Sequence, residues 1–326
     1  MSDKQAKKYW SEFAGADGIR RDYLADAELI RRLERPNRPV DVVLDTDTFN
    51  EIDDQYALAY LIKCSDKLRL QAIYAAPFFN NKSAGPEDGM LKSHQEILNI
   101  LTLMGCEDLK KSVYMGSRAY MPDERTPVES DAAGDLVARA MAHTSEDPLY
   151  VIAIGAITNV SSALVMKPEI KDRIVLVWLG GHALEWPNNK EFNLYQDVAG
   201  ARVVFGCGVP LVQLPCMGVV SAFRTTGPEL EYHLRGKNKL CDYLVDVTTE
   251  EAIACGGNVT WSRPIWDVTA VAWLLDERFM QDRLEHAPLP EYDHRYARRM
   301  DSSLYKYVYY IDRDLLFEDL FAKLSK

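Results

Sequence analysis

Residues Val42 to Ile62 read VVLDTDTFNEIDDQYALAYLI, and this stretch decides how the chain is organised. An apolar run typical of a buried strand is followed by an acidic segment and then by an apolar run with helical spacing. The acids are Asp45, Asp47, Asp53 and Asp54. Like charges this close repel one another, and burial raises the cost, so a bound cation would stabilise the cluster. Carboxylate oxygens favour Mg²⁺ or Ca²⁺ over zinc.

Strand-like and helix-like segments alternate along the chain. The apolar, strand-like segments are VDVVL, LRLQAIYAA, SVYMG, LYVIAIG, RIVLVWLGG and VPLVQLP. Between them lie segments with apolar residues at helical spacing, such as DDQYALAYLIKC and GMLKSHQEILNILTLMG. Continuous apolar strands that alternate with amphipathic helices predict an α/β fold, in which a mostly parallel sheet carries helices on both faces. An alternating strand, SLYKYVYYID, and an amphipathic helix, DLLFEDLFAKL, are predicted at the end of the chain.

The chain is predicted to form one large domain with an extension in front of it. Residues 1–38 contain a short helical segment, AELIRRLE, which the proline-containing ERPNRP ends. We interpret these residues as an N-terminal helical extension. Residues 39–326 show no internal repeat, low-complexity tract or convincing linker, and they are numerous enough to bury a large core. We interpret them as a single α/β domain.

Composition and charge argue against several classes of protein. The net charge of -11 is unlike that of a nucleic-acid-binding protein, which normally carries a basic face. The N-terminus lacks the apolar segment of a signal peptide, and no apolar run is long enough to span a membrane. The six cysteines include no CxxC pair and are typical of reduced thiols. We therefore expect a cytoplasmic protein that binds neither nucleic acid nor membranes.

Polar groups recur where the predicted strands end. Asp45 and Asp47 follow the first strand, AIGAITN ends the LYVIAIG strand, and WLGG ends the next. KEFNLYQD comes shortly afterwards, and Trp266 and Asp267 begin a helix near the C-terminus. Because the carboxyl ends of parallel strands meet at one edge of a sheet, these groups are predicted to surround one site. Their chemistry suits a metal ion and a polyhydroxy ligand.

The ordered motifs LDTD…DD, AIGAITN, LGG, EFNLYQD and WDVTAVA resemble the nucleoside hydrolase family of the inosine-uridine-preferring type. The resemblance spans roughly residues 40–275. It implies hydrolysis of the N-glycosidic bond of a nucleoside to free base and ribose, with Ca²⁺ as cofactor and Mg²⁺ as the alternative cation. Apolar faces in residues 1–38 and in SLYKYVYYID would suit subunit contacts, and we expect a homo-oligomer, either a dimer or a tetramer.

The resemblance also implies roles for the four acids of the opening motif. Asp47 would be a metal ligand and the general base that takes a proton from the metal-bound attacking water. Asp54 would be a bidentate metal ligand. Asp53 would hydrogen-bond to ribose hydroxyls, and Asp45 would support the cluster.

Further roles are implied for residues of the later motifs. Thr158 would give its backbone carbonyl to the metal, and Asp267 would complete the protein ligands and contact the substrate. Glu191 and Asn193 of EFN would bind ribose hydroxyls. Two more ribose contacts would come from pairs of neighbouring asparagines, between which the sequence does not choose. The candidates are Asn80 or Asn81 after the second strand, and Asn188 or Asn189 before EFN.

The residue types suit this chemistry without the resemblance. Water is a poor nucleophile at neutral pH, and a metal lowers its pKa while a carboxylate accepts its proton. Cleavage of a glycosidic bond passes through an oxocarbenium-like sugar, which nearby carboxylates and amide oxygens stabilise. Contacts to ribose hydroxyls would hold the sugar in a reactive conformation. An acid-rich and amide-rich pocket is therefore expected.

The chain departs from the family pattern at two places. The family spaces its acids as DxDxxxDD, whereas DTDTFNEIDD has two extra residues between the pairs, so the loop is predicted to bulge. Many members also place a histidine before the late aspartate, where it can protonate the leaving base, but here that residue is Trp266. A tryptophan can stack on a purine and raise its basicity, which predicts a purine preference. Trp186 or Trp261 would be a second stacking partner or a core residue, and His182 a pocket residue without a catalytic role.

Two alternative functions also fit parts of the sequence. VVLDTDTF also fits the opening motif of haloacid-dehalogenase-type phosphatases, with Asp45 as nucleophile, Asp47 as acid/base and Mg²⁺ as cofactor. That class needs a late acidic pair at a strand end, for which the chain offers no convincing segment, and it leaves EFNLYQD and AIGAITN unexplained. The second alternative is a sugar- or nucleoside-binding protein on the same fold, either non-catalytic or with altered specificity.

Overall fold

The computed structural model describes Ile19 and residues 23–256 and 260–326. The strands within these residues are β1 (Val40–Thr46), β2 (Leu68–Ala75), β3 (Val113–Met115), β4 (Leu149–Ala153), β5 (Ile174–Leu179), β6 (Leu211–Leu214), β7 (Arg224–Thr226), β8 (Ser262–Pro264), β9 (Met280–His286), β10 (Leu289–Pro290), β11 (Tyr296–Ala297) and β12 (Leu304–Ile311). Each strand-like segment predicted from the sequence overlaps one of these strands.

Helices connect most of the strands. They are α1 (Asp26–Arg32), α2 (Asp53–Lys63), α3 (Pro86–Leu103), α4 (Asp131–Ala142), α5 (Thr158–Met166), α6 (Phe192–Gln196), α7 (Val198–Gly206), α8 (Gly227–His233), α9 (Lys239–Ala254), α10 (Val268–Trp273) and α11 (Arg313–Leu324). Short 3₁₀ helices span Glu107–Ser112, Pro168–Asp172, Val220–Ala222 and Glu277–Phe279.

The main sheet has the strand order β3-β2-β1-β4-β5-β6-β12-β9. Its neighbours pair in parallel, except that β9 runs antiparallel to β12 at one edge. The chain leaves β1 toward β2 and β3 and then returns to place β4 on the other side of β1. Strand order therefore reverses between β1 and β4, and in open α/β sheets such a reversal creates a crevice at the carboxyl ends of the strands.

Both faces of the sheet are covered, as the sequence predicts. Side chains alternate along β1, so Val42 and Leu44 belong to one core cluster and Val43 to the other. The first cluster also holds buried residues of α2, α3, α9, α10 and α11, and the second those of α4, α5 and α7. Strands buried on both sides read as continuous apolar runs, which is why the sequence identifies them so clearly.

The C-terminal part of the sheet contains the predicted strand SLYKYVYYID and one strand that was not predicted. β12 is an interior strand between β6 and β9, and it buries Tyr305, Tyr307 and Val308. Tyr309 and Tyr310 stay exposed, so only part of SLYKYVYYID is available for a subunit contact. β9 was not predicted, because its sequence, MQDRLEH, alternates mostly charged and polar residues at an edge with one neighbouring strand.

The predicted N-terminal extension is described only in part. Residues 1–18 and 20–22 lie outside the described residues. The predicted helix is α1, and its Leu29, together with Leu33, is fully buried in the first core cluster. The division into an extension and a single domain stays a prediction.

Candidate active site

A cavity of about 220 Å³ opens at the carboxyl edge of the sheet. The segments that follow β1, β4, β5 and β6 form its wall, together with the start of α10. The wall combines carboxylates with amide, cationic, sulfur-containing and apolar side chains. Its lining residues are Asp47, Asn50, Glu51, Asp53, Asp54, Ile154, Leu179, His182, Lys190, Glu191, Phe192, Asn193, Cys216, Met217, Trp266 and Asp267.

Three buried carboxylates meet on one side of the cavity. Asp53, Asp54 and Asp267 each place a carboxylate oxygen within 4.8 Å of the others. The backbone N–H of Asp267 donates to Asp53 Oδ2 at 3.2 Å, and the Thr46 hydroxyl donates to Asp54 Oδ1. Burial raises the pKa of Asp53 to about 7, and the Asp54 charge adds to the effect. Burial also raises the pKa of Asp54 to about 7. The cluster therefore strongly favours either protons or a cation between its oxygens.

Asp47 lies beside this cluster, and its environment is unusual for a carboxylate. It is buried, and neither of its carboxylate oxygens has a hydrogen-bond partner among the described residues. Burial raises its pKa well above the ordinary value, and the charges of Asp54 and Asp53 raise it further. A buried carboxylate without partners is costly, so these oxygens fit a bound cation or an ordered water. Asp53, Asp54 and Asp267 form a hard oxygen donor set that suits Ca²⁺ or Mg²⁺, and Asp47 lies next to this set.

Gly155 explains part of the AIGAITN motif. A Cβ added at this residue would lie 3.2 Å from the backbone nitrogen of Asp47 and 3.3 Å from its Cβ. It would also come within 2.9 Å of the Ala76 Cβ. The glycine therefore lets the chain after β4 approach the chain after β1, and this close approach positions Asp47 at the switch point of the sheet.

Asn159, the last residue of the same motif, supports Asp45 below the cavity. Both residues are fully buried. Asn159 donates from Nδ2 to Asp45 Oδ1 at 2.7 Å, and its Oδ1 accepts the backbone N–H of Ser117 at 2.7 Å. Burial raises the pKa of Asp45 to about 7, and the hydrogen bond from Asn159 opposes that rise. The amide thus connects β1 to the segments that follow β3 and β4.

Replacing Asn159 by alanine is expected to destabilise the fold. The substitution leaves Asp45 Oδ1 and the Ser117 N–H without their partner, at a cost of about 1–3 kcal/mol for each buried group. The free energy of unfolding in urea measures this loss. As a control, Asn99→Ala removes a partly exposed amide of α3 that donates to Glu96, and it should change the stability much less. Equal stability of both variants would contradict a supporting role for Asn159.

Glu191 and Asn193 also line the cavity. Glu191 caps α6 and accepts backbone N–H groups of Asn193 at 3.0 Å, Leu194 at 2.9 Å and Gly181 at 2.9 Å. Burial still raises the pKa of Glu191 to about 7. Asn193 donates from Nδ2 to the carbonyls of Ile154 at 3.1 Å and Leu179 at 3.0 Å, at the ends of β4 and β5. EFN therefore presents two rigidly held acceptors to the cavity.

Several other predicted site residues lie away from the cavity lining, as far as the described residues show. Thr158 is buried at the start of α5, its hydroxyl donates to Asp197 at 2.5 Å, and its carbonyl accepts from Ser161 Oγ at 3.2 Å. Its role as a metal ligand stays a prediction.

The four candidate asparagines do not line the cavity within the described part of the chain. Asn80 stands behind the wall and donates to Asn50 Oδ1 at 2.7 Å. Asn189 is buried, and its Oδ1 accepts the His182 N–H at 2.7 Å. Asn81 and Asn188 are exposed. The structure thus shows Asn80 and Asn189 positioning wall residues, and direct ribose contacts from any of the four stay predictions.

Of the aromatic candidates, Trp266 and His182 line the cavity, whereas Trp186 and Trp261 are not among its described lining residues. Trp266 lines the cavity, and its buried Nε1–H has no acceptor among the described residues. His182 also lines the cavity, and its Nδ1 accepts the Met217 N–H at 3.3 Å. Burial lowers the pKa of His182 to about 4, so the ring is neutral at neutral pH. Trp186 packs edge-on against His182, with ring centroids 6.1 Å apart. Trp261 packs against Gly227 and the first core cluster, which is the core role considered for it.

Sequence reasoning missed some residues of the wall. Asn50 and Glu51 belong to the opening motif but were counted only as extra length. Cys216 and Met217 follow β6, whose strand end was not searched for polar or ligand groups. Lys190 precedes EFN directly. Their position in the sequence could have identified these residues, because each lies in a segment that follows a strand end on the same edge of the sheet.

Solved structures define the class of protein to which this fold belongs. The plant nucleoside hydrolase PpNRh1 superimposes with a TM-score of 0.71 and 19% sequence identity, covering 88% of this chain and 99% of that one. The purine-preferring ribonucleoside hydrolase from Gardnerella vaginalis superimposes with a TM-score of 0.69 and 20% identity, covering 87% of this chain and 98% of that one. The fold is therefore that of the nucleoside hydrolases.

The sequence assigns the family. The inosine-uridine preferring nucleoside hydrolase family model matches residues 42–300, and the chain belongs to this family of N-glycosyl hydrolases. The pyrimidine-specific ribonucleoside hydrolase RihA of Citrobacter koseri is 24% identical over 257 residues, which are 67% of this chain and 80% of that protein. This assignment confirms the resemblance seen in the ordered motifs and replaces the phosphatase alternative. Among the described helices, none has the length and apolar composition needed to cross a bilayer.

Proposed function

We propose that the protein hydrolyses the N-glycosidic bond of ribonucleosides, with a preference for purines, in a reaction that depends on Ca²⁺. The observation that carries the proposal is Asp47, a fully buried carboxylate with two unpartnered oxygens beside three more carboxylates. Such a group is suited to hold and deprotonate a water molecule. Its position in a cavity of small-molecule size, lined by ribose-binding residue types, supports a nucleoside as substrate.

The residues that would hold Ca²⁺ are Asp47, Asp54 and Asp267, with the Thr158 carbonyl as a further candidate. Asp53 is close enough to serve either the cation or the ribose hydroxyls. When bound, the cation would neutralise the cluster and lower the pKa of water in the site. Mg²⁺ is the alternative, because it binds the same oxygen donors with stricter geometry.

The chain's own residues would carry the remaining steps. Asp47 accepts a proton from water, whose oxygen forms a bond to C1′ of the ribose as the bond from C1′ to the base nitrogen breaks. The base leaves with that electron pair and takes a proton from solvent. Carboxylates around the sugar stabilise the positive charge that develops on it. Glu191 and Asn193, which also line the cavity, would hold the ribose hydroxyls.

Trp266 supports the purine preference, because it is the indole ring among the lining residues. Trp266→Ala is expected to lower kcat/KM for purine nucleosides by about 5- to 150-fold, the equivalent of the 1–3 kcal/mol that base stacking contributes. Pyrimidine nucleosides, with a smaller ring, should lose less. Trp266→Phe should retain part of the purine activity, and Trp261→Phe, outside the cavity, should leave it unchanged. Equal losses for purines and pyrimidines would contradict stacking as the source of preference.

Release of free base from a panel of purine and pyrimidine nucleosides tests the function directly. The assay is run with Ca²⁺, after chelation, and with Asp54→Ala. Release that chelation and Asp54→Ala both abolish would support a metal-dependent nucleoside hydrolase. Absence of release from any nucleoside, with Ca²⁺ bound, would overturn the proposal and favour a nucleoside- or sugar-binding protein on the same fold.

The predicted assembly and location also remain proposals. Size-exclusion chromatography with light scattering would test the homo-oligomer, for which a dimer or tetramer is expected. Fractionation of the source cells would test the cytoplasmic location.

A further inference from the structure

The lengthened loop of the acidic motif contributes two side chains to the cavity wall. Asn50 and Glu51 lie between Asp47 and Asp53, and both line the cavity. The loop turns at this point, where the Asn50 N–H donates to the Asp47 carbonyl at 2.7 Å. This loop therefore adds an amide and a carboxylate to the wall.

Neighbouring segments hold Asn50 and Glu51 in place. Lys82 donates from Nζ to the Asn50 carbonyl at 2.8 Å and to Glu251 at 3.0 Å. On the other side, Arg263 Nη2 lies 3.5 Å from Glu51 Oε2 and 3.8 Å from Glu251 Oε1. The loop is thus fixed by charged groups from the β2–α3 connection, from α9 and from β8. A side chain fixed in this way is a suitable specificity contact.

Glu51 stands at the rim of the cavity, which Trp266 also lines. The carboxylates of Asp53, Asp54 and Asp267 are almost fully buried, whereas the Glu51 side chain is 34% exposed and also lines the adjoining outer groove. If the buried carboxylates hold the ribose, the base would lie nearer the rim, where Glu51 offers its carboxylate.

We propose that Glu51 is a specificity-determining residue that accepts a hydrogen bond from an N–H group on the edge of the base. The inference rests on the proposed nucleoside hydrolase function. A Glu51 oxygen that accepts this hydrogen bond favours bases with a donor at that edge and disfavours those without one. Oε2 faces Arg263, and within the described residues Oε1 has no hydrogen-bond partner, which leaves it for the substrate.

Three substrates that share ribose separate this role from general effects on catalysis. Adenosine carries an exocyclic amine, purine riboside has the same ring system without that donor, and p-nitrophenyl riboside has no base at all. Loss of a hydrogen bond to a charged group costs about 10- to 150-fold. Glu51→Ala is therefore expected to lower kcat/KM for adenosine by about that factor and to leave the other two substrates unchanged. Glu51→Gln, which keeps a neutral acceptor, should show a smaller loss.

The control is Glu250→Gln, an exposed acid on α9 that should leave all three activities unchanged. Thermal unfolding of each variant shows whether the fold is intact. A selective loss for adenosine supports the inference. Equal losses for all three substrates, or no loss for any, would overturn the proposed role of Glu51. Hydrolysis of p-nitrophenyl riboside by the unmodified protein would still support the proposed function in that case. Inactivity of the unmodified protein on all three would overturn the proposed function and this inference with it.

Discussion

Asp47→Asn is expected to lower kcat for nucleoside hydrolysis by about 10²- to 10⁴-fold, the range that a positioned general base contributes. The amide keeps the size of the side chain but cannot accept the proton of water. The substitution should not unfold the protein. Asp47 is buried beside Asp53 and Asp54, and a neutral group in its place relieves their repulsion, so the metal-free variant should be at least as stable as the unmodified protein.

A substitution on β1, the strand that Asp47 follows, provides the control. Asp41→Asn removes an acid that pairs with Arg69 at 2.7 Å at the other end of β1, where the Arg69 side chain is half exposed. Such surface pairs contribute about 0–1 kcal/mol, so activity should not change. Initial rates of base release at saturating nucleoside, together with Ca²⁺ titration of both variants, complete the measurement. An Asp47→Asn variant that binds Ca²⁺ and retains the kcat of the unmodified protein would exclude Asp47 as the base.

The fold was predictable wherever burial on two faces imposes a continuous apolar sequence. β4 and β5, which lie inside the parallel sheet, show this pattern and were identified from it. β9 has one neighbouring strand and an exposed, charged sequence, so no apolar period marks it. β10 and β11 pair over two residues, which is too short for any periodic signal.

The site was predictable to the extent that local motifs determine it. Asp53 and Asp54 begin the helix that follows β1, so their position at the carboxyl edge follows from the topology of the sheet. The asparagine contacts could not be derived in the same way, because they depend on how two loops meet. Asn80 donates to Asn50 of the loop between Asp47 and Asp53, and Asn50 is the amide of this pair that lines the cavity.

Calcium is expected to raise the melting temperature of the metal-free protein by about 4 °C at a concentration about 100-fold above its Kd. Binding to the folded state alone contributes about 2.7 kcal/mol under that condition. An unfolding entropy of about 2.1 cal/mol/K per residue over 326 residues converts each kcal/mol into about 1.5 °C. The sources of the gain are Asp47, Asp53, Asp54 and Asp267, whose mutual repulsion the cation removes.

The effect should grow with pH, because protons and Ca²⁺ compete for the same oxygens. The pKa of Asp53 and of Asp54 is about 7 in the folded, metal-free protein, compared with about 3.9 in an unfolded chain. Between about pH 3.9 and pH 7 the folded state therefore binds more protons than the unfolded state. The stabilisation that these bound protons give the folded state is complete below about pH 3.9 and is lost as the pH rises through about 7. Melting temperatures with chelator should fall from about pH 5.5 to 8, while Ca²⁺, which needs ionised carboxylates, binds more tightly over that range.

Differential scanning fluorimetry at several pH values, with Ca²⁺ or with chelator, measures both effects. Asp54→Asn should remove most of the Ca²⁺-dependent shift, and Asp41→Asn, outside the cluster, should retain it. Identical melting curves with and without Ca²⁺ at about pH 8, where ionised ligands should bind best, would show that the cluster does not bind Ca²⁺. In that case the carboxylates of Asp53 and Asp54 would serve as hydrogen-bonding groups toward the sugar, and Asp47 would have to activate water without help from a cation.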